Sequence, residues 1–144
     1  MTFFGSKKKA EGKSQVQLQV PKKDPLRELV PSDEKLYLAL QTFLLGDPNR
    51  QLPMLGSVDT LSLKAEEEKA KGDKWKARIN YETAARIDIY KEDREGAEKF
   101  LRQAEEFAED GGQNRVMLET LLTNMDEVMR ISKLYYSSMS KTGK

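Results

Sequence analysis

The side chains that carry most protein chemistry are missing from this 144-residue chain, which has no cysteine and no histidine. That excludes disulfides, thiolate and imidazole metal ligands, a cysteine nucleophile and a histidine base together. Carboxylates remain, in two runs: Glu66, Glu67 and Glu68, then Glu105, Glu106, Glu109 and Asp110. Hard cations take such oxygen donors. Neither run has the EF-hand spacing with its central glycine, and the mixed Glu and His set of a di-metal bundle cannot be assembled without histidine. The runs therefore read as solvated helix faces, and no metal, cofactor or catalytic residue is expected. Gly111-Gly112 is not followed by the Gly-Lys of a phosphate loop and reads as a helix cap. Trp75 and Tyr90 carry rings that can stack a base, yet on helices with apolar neighbours they read as packing elements.

Charge is the stronger signal. Residues 1–23 hold Lys7, Lys8, Lys9, Lys13, Lys22 and Lys23 against the single acid Glu11, a balance of +5 within a chain of net charge +1. Residues 24–132 carry 16 basic against 23 acidic side chains, a balance of −7, and three further lysines follow. An acidic body is thus flanked by basic ends. With Phe3 and Phe4 near its tip, the arm suits the polyanionic surface of a nucleic acid or an anionic membrane, and a solubilising tail is the equal alternative. Six lysines without arginine are point charges, so any nucleic-acid contact should be independent of base sequence. An arm engaging four to six phosphates should lose affinity with salt at a log–log slope of roughly −3 to −5, made shallower by about 2 to 3 when Lys7, Lys8 and Lys9 become Gln. Binding that ignores salt, or ignores those three lysines, would leave the arm as a tail.

These residues are positioned by a body that the apolar spacing predicts to be all-α. Residues 1–30 offer little apolar surface and read as a disordered basic arm and linker, with a period-2 alternation at Gln15–Val20 and prolines at 21, 25 and 31. Residues 31–140 read as a helical domain of about five helices, and 141–144 as a disordered tail. The first helix is expected to start at an N-cap Ser32, bury Leu36, Leu40, Phe43 and Leu44, and stop at Gly46 and Pro48. A loop over 46–58 should tuck Leu52, Met54 and Leu55 onto the body. Further helices are predicted near 59–71, 74–91, 94–109 and 114–139, the last long enough to overhang what it packs on. No apolar stretch approaches a membrane span or a secretory signal, which makes the cytoplasm the expected location.

Within this body the string LSLKAEEEKAKGDKWKARINYETAARI at 61–87 resembles a tetratricopeptide repeat, a helix-turn-helix unit of about 34 residues. Gly72-Asp73 sits at the turn, and Ala77, Tyr81 and Ala84 follow at the family's spacing. Leu61 and Ala65 match upstream, and Phe100, Ala104, Phe107 and Gly111 repeat the order of a first helix and its turn, giving about one and a half degenerate repeats. Lys64 and Glu68 depart from the family's apolar positions, and Ser62 and Glu66 stand where some members grip a carboxylate with basic residues. The resemblance implies antiparallel helical hairpins packed through Ala65, Ala77, Tyr81, Ala84, Phe100, Ala104 and Phe107. It further implies a non-catalytic scaffold or adaptor whose partner is another protein. In this register Ala84 and Ala104 are close-contact positions, and Glu82 and Gln103 are exposed.

Overall fold

The computed structural model describes residues 24–142, with side chains described through Met139. The six arm lysines, Phe3, Phe4 and the Gln15–Val20 alternation lie outside the described residues. Eight helices, rather than about five, run through the described chain: α1 (Pro25–Leu29), α2 (Glu34–Phe43), α3 (Pro48–Leu55), α4 (Val58–Ala70), α5 (Lys74–Tyr90), α6 (Arg94–Glu105), α7 (Gln113–Thr123) and α8 (Met125–Thr142). Three of the differences have local causes. Residues 25–29, expected as linker, form α1 because Asp24 caps it through the Leu26 and Arg27 amides and because Leu26 and the C-cap Val30 are buried. The prolines of 46–58 do not enforce a loop: Pro48 occupies the first turn of α3, where a missing N–H costs nothing. Leu52 and Leu55 pack against the core as expected, whereas Met54 is 80% exposed. The expected helix over 114–139 is broken at Asn124, whose side-chain amide donates to Thr120 O at 2.7 Å while its own carbonyl accepts from Val128 N at 2.8 Å. The cap of α2 moves by one residue, to Asp33.

The centre of the fold is built from a repeated turn. After α4 the amides of Gly72 and Asp73 return to Lys69 O and Glu68 O, and after α5 those of Glu92 and Asp93 return to Ile89 O and Asp88 O. Both are the same helix-ending motif, with a left-handed residue followed by an aspartate that caps the next helix. The two copies lie 20 residues apart, and α4, α5 and α6 are consecutive neighbours as a result. Gly72 takes the left-handed position at φ +83°, but in the second copy the residue is Glu92, at φ +64°. A side chain there costs about 1–2 kcal/mol, partly offset by the entropy a glycine would lose. Glu92→Gly should therefore raise stability by about 0.5–1 kcal/mol, read as a higher urea midpoint with an unchanged slope. Its exposed pairing with Lys133 at 3.9 Å is too weak to reverse the sign.

Small residues hold these helices close: Ala65, Ala77, Ala84, Ala97 and Ala104 are fully buried. Tyr81 lies between the rings of Phe100 and Phe107, at centroid distances of 6.3 and 6.2 Å, and its hydroxyl donates to Glu66. Helix α7 packs on α6 and on α2, while α8 crosses against α1 and α5. Among the described residues no helix is long and apolar enough to cross a membrane.

Candidate interaction groove

Where α2 meets α7 their outer faces leave a cavity of about 490 Å³. Leu38 forms one wall and Val116 and Met117 the other, with Lys35 at the rim. Leu38 is 49% and Val116 39% exposed. A second cavity of about 500 Å³ lies beside it, between the start of α5 and the loop before α7, lined by Lys74, Trp75, Arg78, Phe107 and Glu109. Gln113 and Asn114 line both cavities. The first turn of α7 thus borders both depressions, and it has no capping side chain because Gly112 precedes it. Arg115 fixes the loop behind this turn by donating to the carbonyls of Glu105 and Ala108 at 3.0 and 2.9 Å.

The two aromatic residues singled out from the sequence part company here. Tyr90 packs edge-on against Tyr136 with ring centroids 5.0 Å apart. Trp75, expected as a packing element, is 62% exposed at the mouth of the second cavity. Helix α5 turns it outward because the opposite side of the helix is the buried one.

That buried side carries charge. Arg78 Nη1 donates to Glu82 Oε2 at 2.8 Å, with both side chains almost wholly excluded from solvent. The expectation that Glu82 is exposed is thus overturned. Gln103 is half-buried, with its Oε1 enclosed and without a hydrogen-bond partner among the described residues. One turn beyond Glu82, Arg86 lies over the Phe43 ring at 4.5 Å. Nothing in a helical period distinguishes these polar positions from solvated ones, since α5 is enclosed on several sides.

Asp88 is a second charge that the sequence did not flag. It is 4% exposed at the α5–α6 contact, and a β-carbon at Gly96 would collide with its Oδ2. Burial, reinforced by Asp93 and opposed by Lys91 and Lys99, pushes its carboxyl up to about 6. Because the folded state holds this proton more tightly than the unfolded chain, the group disfavours folding at neutral pH. That penalty is relieved as pH falls from about 6 towards 4. Asp88→Asn should gain about 1 kcal/mol at pH 7 and abolish this component of the acid stabilisation. Urea midpoints compared at pH 4.5 and 7 measure both.

The carboxylate runs assemble no such centre: Glu66 is engaged by Tyr81, and among the described residues no cluster of three acids is arranged to hold a metal ion. Compared with models of known families, with curated proteins and with solved structures, the chain matches none.

Proposed function

We propose that this chain is a non-catalytic, tetratricopeptide-like interaction module of the cytoplasm that receives another protein in the groove between α2 and α7. The observation that carries this reading is the pairing of Leu38 and Val116, exposed apolar side chains on separate helices that face one cavity. Single exposed apolar groups such as Met54 and Leu63 are ordinary surface. Two on opposite walls of a groove mark a place where burial against a partner gains free energy. Support for the tetratricopeptide-like character comes from the repeated turn, the buried alanines and the enclosed ring of Tyr81. A photo-crosslinking side chain placed at position 38, compared with one at the exposed Glu95 on α6, tests the proposal in cells. A protein partner captured from position 38 and not from position 95 is the expected result, and equal or absent capture would overturn it. The lysine arm supplies a separate proposal, association with a nucleic acid or an anionic membrane, for which the +5 charge of residues 1–23 is the support.

A further inference from the structure

The turn between α4 and α5 is a basic corner on an acidic body. Residues 69–76 carry Lys69, Lys71, Lys74 and Lys76 against Asp73 alone, a local balance of +3 within the −7 of residues 24–132. All four lysines are exposed, and Trp75 stands among them, 62% exposed at the mouth of the cavity of about 500 Å³. We propose that this corner binds single-stranded nucleic acid, with one unpaired base stacked on Trp75 in that cavity and the flanking phosphates on Lys71, Lys74 and Lys76. The proposal does not rest on the groove between α2 and α7, and it adds to the lysine arm a contact on the folded body.

Ring, space and charge together select this ligand. Stacking a base requires an exposed aromatic face with room beside it, and the cavity lined by Trp75, Phe107, Gln113 and Asn114 supplies the room together with amide groups for a base edge. Arg78 also lines this cavity, but it is buried and already neutralised by Glu82, so it offers no phosphate contact. Glu109 repels a phosphate that enters, which leaves the cavity to the uncharged base and the backbone to the exposed lysines of the turn. The acids of the turn do not cancel those lysines. Asp73 faces the start of α5, where its carboxylate accepts from the Lys76 amide at 3.0 Å, and Glu68 reaches Lys71 only at 3.8 Å in a weak pair. A duplex hides its base faces in the stack, so it can meet the lysines but not the ring. A membrane surface is held by a broad apolar face, whereas Trp75 is the one large apolar side chain of residues 69–76. The chain's own arm, at +5, is repelled by the same lysines.

Trp75 is the only tryptophan in the chain, so its emission reports stacking without a label. The experiment titrates the full-length protein, and a full-length variant with Lys7, Lys8 and Lys9 replaced by Gln, with a short thymidine oligonucleotide. Saturable quenching of Trp75 is expected in both. Duplex DNA, inorganic polyphosphate and polyglutamate should bind without quenching. In the arm variant, Trp75→Ala should weaken binding about tenfold, read from the anisotropy of a labelled oligonucleotide, and Trp75→Tyr should recover most of the loss. Replacing Lys71, Lys74 and Lys76 together by Gln should make the log–log salt slope shallower by about 2. All four positions are exposed, and circular dichroism checks that the variants fold.

Equal quenching by the duplex, polyphosphate or polyglutamate would overturn the proposal, because the corner would then respond to charge alone. So would an absence of quenching by the single strand. Affinity that neither Trp75→Ala nor the three-lysine variant changes would make the arm the sole contact and remove the site. A blue shift of Trp75 on phosphatidylserine vesicles, without quenching by the oligonucleotide, would assign the corner to a membrane surface instead.

Discussion

Glu82→Ala should destabilise the protein by about 3–5 kcal/mol, the largest loss expected from any single charged residue in the fold. Arg78 and Glu82 retain 8% and 3% side-chain exposure, so removal of the carboxylate leaves a largely buried guanidinium without its ion-pair partner. The loss measures that abandoned charge rather than the worth of the pair, because bringing both ions out of water already offsets most of their attraction. The double replacement Arg78→Met with Glu82→Leu should therefore recover most of the stability, although it removes the same ion pair. Urea unfolding of the two single variants and the double variant tests this in one cycle. A Glu82→Ala shift within about 0.5 kcal/mol would place the carboxylate in solvent, where sequence periodicity put it.

The same residue shows how far the sequence could be read. Periodicity located α4, α5 and α6 to within a few residues, since their apolar and alanine positions recur at helical spacing and their turns carry Gly72 or a capping aspartate. It failed on the polar positions of α5, where Arg78, Glu82 and Asp88 are buried beside Ala77, Tyr81, Ala84 and Ala85. A period describes one apolar stripe, whereas a helix enclosed by α4, α6 and α8 has little solvent face left. The prolines of α3 and the continuous apolar pattern across Asn124 misled in opposite directions. Proline marks a helix start as readily as a loop, and a single asparagine can end one helix and begin the next without breaking the apolar stripe. The groove was the least legible feature. Leu38 and Val116 are 78 positions apart, and their exposure on facing walls is a product of assembly that no local spacing encodes.

Ala84→Leu and Ala104→Leu should each cost about 1–3 kcal/mol, against changes within about 0.5 kcal/mol for Lys76→Leu and Arg102→Leu on exposed positions of the same helices. Both alanines have no exposed surface, and the short turns after α4 and α5 leave the helices little freedom to slide apart. Three added carbon atoms must then be accommodated by a wider helix separation or a displaced side chain in a core packed at crystalline density. A wider separation would also disturb the enclosure of Tyr81 by Phe100 and Phe107, which depends on the spacing of α5 from α6. The effect should extend to the cavity beside Trp75. Lys74, Trp75 and Arg78 ride on α5 while Gln113 and Asn114 ride on α7, so displacement of α5 changes the width of the depression. Trp75 emission in Ala84→Leu should consequently shift although no lining residue is altered. If the buried and exposed substitutions cost the same, alanine does not set the helix spacing. If Ala84→Leu loses stability while emission stays as it was, the cavity beside Trp75 is independent of the α5–α6 contact.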